Sequence, residues 1–392
     1  MRKKKAEIYI WILACLFNMC TIAMGAAIPK MGEVFGRERL SVIQMSMNFA
    51  GIAAATVSFF QSRLQERFSG KLLLLTGLAL FQGAGIGAYL IHDTVVIIFL
   101  WTGLMGAGCA LYYPLVSSII TEEYSGTKRG GLLAAQTSVS NLGGIVMSVA
   151  GGVLVAWKWY GCFLVNLLAV PVFLACIWGT SHRKPMAPGS LEKVSGPIDW
   201  KLIGKYFLAG FTFSLVYFVA TPNISVFVEE HGLGESGLSG VGTAMLMAGG
   251  MISGFSYKRA VPYLQEHMVE FGIALAGIGY AFLTLSGLSV PLLLIGCCMT
   301  GASFGFVLPY FLFGISNKAD KATLGTAMGV VGTCSGALAS FVSPLIFTRM
   351  GALAGLRTAQ DRFVTAGVCC SILFAVHWYL RVSGKGDLYE HK

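Results

Sequence analysis

Apolar residues along this chain fall into twelve runs parted by polar turns. The first six are Ile8–Ile28, Val42–Phe60, Leu72–Ile91, Val95–Ser117, Leu132–Val155 and Tyr160–Gly179. The second six are Tyr206–Phe227, Leu238–Phe255, Val269–Ser286, Pro291–Phe313, Leu324–Phe347 and Phe363–Tyr379. A helix needs ~20 apolar residues to cross the hydrocarbon core, and lipid offers no partner to an unpaired backbone N–H or C=O. The pattern therefore predicts an all-α polytopic membrane protein of twelve transmembrane helices, numbered here as spans 1 to 12.

The polar positions divide these spans into two sets. The one long polar segment between spans holds Pro185, Pro188 and Pro197 with five basic residues. It predicts an N-terminal six-helix bundle at residues 1–180, a cytoplasmic linker at 181–205 and a C-terminal bundle at 206–392. Gly106-Ala107 and Pro114 in span 4 reappear 195 positions later as Gly301-Ala302 and Pro309 in span 10, and Gly131 reappears 194 later as Gly325. Parallel halves of this kind are one repeat design of secondary transporters. Small residues at every fourth position in spans 2, 5, 8 and 11 mark helix faces that approach closely.

Charge changes the picture in one respect. The net charge of +10 invites a nucleic-acid reading, but 21 of the 28 basic residues fall on one side of the twelve-span topology and 7 on the other. That bias is the positive-inside rule, and it places both termini in the cytoplasm of a cell-membrane protein. The start, Arg2-Lys3-Lys4-Lys5 before an apolar run, resembles a secretory signal. A signal core spans only ~7–15 residues, and span 7 needs span 1 as its repeat partner, so span 1 is expected to be retained.

Candidate chemistry is sparse. The ten cysteines lie within spans and lack metal-binding spacing, and His377 near the end of span 12 reads as interfacial. No catalytic set, cofactor loop or metal site emerges, so an enzyme is not expected. The acidic residues all fall in loops or within about a turn of a span end, Glu270 and Glu122 being the two that helix tilt would bring nearest a cavity. A proton-coupling carboxylate buried in mid-span is thus not expected, nor a mid-membrane arginine for a dianionic substrate.

Three stretches resemble the major facilitator superfamily. Ser62-Arg63-Leu64-Gln65-Glu66-Arg67-Phe68-Ser69-Gly70-Lys71 is similar to the family's loop between helices 2 and 3, keeping its leucine, acid, arginine and final lysine. Thr102, Met105, Gly106 and Gly108 keep the glycines of its fourth helix without the arginine. Trp157-Lys158-Trp159, with Phe163 and Asn166, resembles its entry to helix 6. Met147-Ser148-Val149-Ala150-Gly151-Gly152 lacks the Gly-Pro pair of the family's drug antiporters. The resemblance implies two pseudo-symmetric bundles whose cavity is lined by spans 1, 4, 7 and 10, flanked by 5, 8 and 11.

On that layout the candidate substrate residues are Asn18, Tyr112, Tyr113, Gln136, Asn141, Tyr217, Asn223, Phe304 and Tyr310, each of which also fits plain interhelical packing. Pro114 and Pro309 are candidate hinges. Glu66, Arg67, Lys71, Glu122, Glu123 and Arg129 are candidate members of a cytoplasmic gate, or a positive-inside anchor. The expected function is alternating-access transport of a small uncharged or amphipathic organic solute, outward in one reading. An organic-anion symporter or exchanger and a non-transporting scaffold are the alternatives. The expected partners are the solute and the bilayer, with no nucleic acid, and the expected state is a monomer.

Overall fold

The computed structural model describes residues 2–124, 126–180, 199–234, 236–264, 267–318, 327–353 and 355–383. Among them are twelve helical segments long and apolar enough to cross a membrane. The chain divides into two compact units, Met1–Leu191 and Glu192–Lys392. In each, the base is the end where its first span begins and the top is the opposite end.

Local signals set the helix ends. Ser69, Thr94 and Asp199 accept hydrogen bonds from the N–H groups of Leu72, Ile97 and Leu202, at 3.3, 3.3 and 2.9 Å, and so cap spans 3, 4 and 7. Thr358 and Asp361 form a reciprocal capping box at the start of span 12. Two boundaries differ from the sequence reading. Asp199 starts span 7 at Trp200, so residues 200–205 are helix rather than linker. Span 2 continues as helix from Leu40 to Arg67, because Ser62–Arg67 holds good helix formers that need no apolar environment. Glu66 and Arg67 therefore occupy a helical last turn, not a loop. The linker at 181–198 and the first residues expected of span 11 lie outside the described residues.

The first span of each bundle is broken. Span 1 runs as an α-helix to Ala14, as tight 3-10 turns through Cys15–Phe17 and Ile22–Ala27, then as an α-helix over Ile28–Phe35. Span 7 breaks between the helices Trp200–Tyr217 and Ala220–Glu230. Pro29 and Pro222, 193 positions apart, sit in the first turns of the two upper helices. Proline lacks the N–H that would continue the ladder and crowds the carbonyl four residues back. By contrast, the helices Val95–Glu123 and Val290–Lys318 run unbroken through Pro114 and Pro309.

Glycine contacts repeat between the bundles. A Cβ on Gly106 would lie 2.0 Å from the Ala50 carbonyl oxygen, and one on Gly301 would lie 1.8 Å from that of Leu246. Span 4 thus lies directly on the backbone of span 2, and span 10 on that of span 8, as small residues permit. In span 5, Gly143 and Gly151 make the same kind of contact with Leu16 and Ala23 of the broken stretch of span 1.

Candidate functional site

In the C-terminal bundle the candidate residues gather at the break of span 7. Pro222 cannot donate to Phe218 O, and the turn before it is tight, Val219 N donating to Val216 O at 3.1 Å. Carbonyls at the break find side-chain donors instead. The buried Tyr280 of span 9 donates its hydroxyl to Val216 O at 2.6 Å and to Tyr217 O at 3.2 Å. Asn223 donates to Val219 O at 2.7 Å, and its own oxygen accepts from Arg362 of span 12 at 2.7 Å. Glu230 closes the group by accepting from Ala359 N at 2.7 Å.

Directly at the break stands Tyr217, its ring stacked on Phe304 of span 10 with centroids 4.4 Å apart. Phe218 meets Tyr217 edge-on at 5.1 Å, and Phe213 stacks on Phe304 at 6.4 Å. Four rings of spans 7 and 10 therefore form one cluster. Tyr310, buried next to Phe311, stands outside it among the ring contacts described.

In the N-terminal bundle Gln136 joins spans 4 and 5. Its amide donates to Tyr113 O at 3.0 Å, and its oxygen accepts from Ser117 at 3.0 Å. Gln61 of span 2 donates to Leu111 O at 3.1 Å, so carbonyls flanking Pro114 receive side-chain donors from two neighbours. Asn18 is half-buried in the broken stretch of span 1, and Asn141 half-buried on span 5. Tyr112 belongs to packing: it is fully buried, donates to Cys109 Sγ at 3.5 Å and lies against Gly77 of span 3. Cys109 in turn donates to Phe17 O in the broken stretch.

Of the proposed gate residues, Glu66, Arg67, Lys71 and Glu123 have described side chains. Lys71 donates to Ile177 O at 2.6 Å and Thr180 O at 2.9 Å, capping the last turn of span 6, where the helix dipole favours a cation. Arg67 and Glu123 are exposed and Glu66 is half-buried. The side chains of Glu122 and Arg129 lie outside the described residues.

Four charged or titratable groups have burial or contacts that the sequence pattern does not show. Glu270 is 3% exposed and pairs with Arg381 at 3.4 Å, joining spans 9 and 12 at the base. Arg362, which precedes the apolar run Phe363–Tyr379, is buried in the first turn of span 12 because the capping box starts that helix before it. Lys30, just past the apolar run Ile8–Ile28, lies on the upper helix of span 1 and caps span 5 through Val155 O at 2.7 Å. His377 is buried next to Phe311 rather than interfacial.

At the top of the N-terminal bundle, Trp157-Lys158-Trp159 has a plain packing account. Trp159 meets Phe35 and His92 edge-on, His92 stacks on Tyr160 at 4.0 Å, and Lys158 lies over the Trp157 and Tyr160 rings. A groove of about 200 Å3 opens between spans 7, 11 and 12, lined by Thr212, Leu215, Val216, Phe347 and Cys369 among others. None of the candidate residues lines it.

The twelve-span chain has counterparts among known proteins. The sequence model of the Major Facilitator Superfamily matches residues 9–344. The chain belongs to that superfamily. It is a multi-pass membrane transporter, not an enzyme. A sequence relative, an uncharacterised MFS-type transporter of Mycobacterium tuberculosis, is 30% identical over 156 residues; the match covers 39% of this chain and a quarter (25%) of the relative's length.

Solved structures of similar fold include the nucleoside transporter NupG, with a TM-score of 0.77 and 11% identity, covering 96% of this chain and 99% of that one. A bacterial homologue of the human lysosomal transporter Spinster, inward-facing and unoccupied, gives 0.74 at 12% identity, covering 100% and 99%. The POT family transporter PepTSo gives 0.71 at 11% identity, covering 96% and 98%. At such identities the likeness establishes the fold alone.

Proposed function

We propose that this superfamily member carries a small, uncharged or amphipathic organic solute by alternating access, in the outward direction. The basic bias of the sequence puts the base of each bundle at the cytoplasm. The observation that carries the reading is the chemistry of the candidate contacts. In the C-terminal bundle Tyr217, Phe218 and Phe304 offer ring surface, in the N-terminal bundle Asn18 and Asn141 are neutral amides, and among the described residues the buried ions already have partners. Arg362 is engaged by Asn223, and Glu270 by Arg381. Apolar walls with a few orienting polar groups suit a neutral organic molecule. An anionic solute would call for an uncommitted cation, and buried ions are costly enough that each is expected to have a task or a partner.

The test is transport by purified protein in liposomes, with chloramphenicol and uridine as uncharged ring-bearing probes and benzoate as the anionic one. Saturable flux of an uncharged probe, weakened in Tyr217→Ala and Phe304→Ala, is expected. Flux of benzoate alone, or flux indifferent to both substitutions, would overturn the reading.

A further inference from the structure

The break of span 7 has more support than a proline requires. Pro222 removes one donor, yet three side chains from two other elements and from the break itself act on it. Tyr280 serves Val216 O and Tyr217 O; Asn223 serves Val219 O and is itself held by Arg362. The charge of Arg362 stands beside Glu230, which accepts from the first N–H of span 12, and Asp361, which is committed to the capping box. A buried cation so placed would be costly as mere filler. Tyr280 has no exposed surface, so its hydroxyl serves only these carbonyls.

The residue whose backbone carbonyl Tyr280 holds is Tyr217, the ring stacked on Phe304. Rotation of the tightened turn by a few tens of degrees would swing that ring off its partner, because the side-chain direction follows the local helix. We propose that Tyr280 and Arg362 are positioning residues of the transport site: they fix the geometry of the span 7 break and thereby set where the Tyr217 ring meets the solute. The inference rests on the reading of Tyr217 and Phe304 as solute contacts. Neither positioning residue touches the solute; each acts through the backbone of residues 216–223.

Tyr280→Phe preserves the packed ring and removes only the hydroxyl. In the full-length reconstituted protein it should raise the half-saturating concentration of chloramphenicol roughly tenfold, the factor that about 1.4 kcal/mol makes, with maximal flux within about twofold. Arg362→Lys, which keeps a cationic donor, should fall between the parent and Arg362→Met. Hydrogen exchange of the amides at 216–223 should quicken in Tyr280→Phe and Arg362→Met, while that of span 3 stays unchanged. A merely structural role would lower the amount of active protein without moving the half-saturating concentration. Unchanged exchange and affinity in Tyr280→Phe, with affinity lost in Tyr217→Ala, would overturn the positioning role and leave the site standing. Faster exchange in Tyr280→Phe with its affinity unmoved would likewise overturn the positioning role, and affinity unmoved in Tyr217→Ala and Phe304→Ala as well would remove the site with it.

Discussion

Replacing Gly106 by alanine adds one methyl group where the backbone of span 2 already stands. The new Cβ would lie 2.0 Å from Ala50 O, at least 1.4 Å short of the 3.4 Å at which ordinary contact begins. The obstacle is a backbone carbonyl rather than the tip of a flexible chain, so relief requires the helices to separate along their whole contact. Overpacking typically costs about 1–3 kcal/mol, and a backbone obstacle belongs at the upper end of that range. Gly301→Ala meets Leu246 O at 1.8 Å and should behave alike. The control is Gly83→Ala in span 3, where a Cβ meets nothing within 4 Å. Alanine there should gain about 0.5–1 kcal/mol from helix propensity. The ten cysteines are free and mostly buried, so unfolding in detergent can be followed with a thiol-reactive dye. The argument predicts a clearly lower Tm for Gly106→Ala and Gly301→Ala than for Gly83→Ala. Equal or higher Tm values in the first two would refute it.

Glu270→Gln should destabilise by about 3–5 kcal/mol, because it strands the Arg381 charge, and Glu270→Gln with Arg381→Met should recover most of that loss in the same thermal assay. Since Glu270 has its partner at the base, that double variant should show the same flux as the parent with and without an imposed pH gradient; a gradient-dependent flux in the parent that the double variant loses would identify a coupling carboxylate. We further propose that Arg67 contributes to an inner gate, so Arg67→Ala should raise the labelling of cysteines introduced at the base and cut turnover. Unchanged labelling and turnover would leave Arg67 as a topological anchor.

The twelve spans and the two bundles are legible in the sequence because bilayer thickness fixes the length of every apolar run, and because the Gly106/Gly301 repeat marks matching contacts. The candidate site is less legible. Pro114 and Pro309 draw the eye as helix breakers, yet their helices stay continuous, while spans 1 and 7 break before Pro29 and Pro222. The presence of a proline within a span does not by itself decide whether the helix breaks there. The early start of span 12 can be read from Thr358 and Asp361, spaced as a capping box, and that would have moved Arg362 from loop to helix. Lys71 and Tyr280 have partners about 106 and 64 positions away. No local pattern encodes such pairs, which exist only once the helices have packed.

The most direct test of the account is flux of labelled chloramphenicol and uridine in liposomes carrying the purified full-length protein, measured with and without an imposed pH gradient and set beside benzoate. The account predicts saturable movement of an uncharged probe that persists without a gradient, and no carrier-dependent movement of benzoate. Movement of benzoate alone, or flux that vanishes without the gradient, would contradict it.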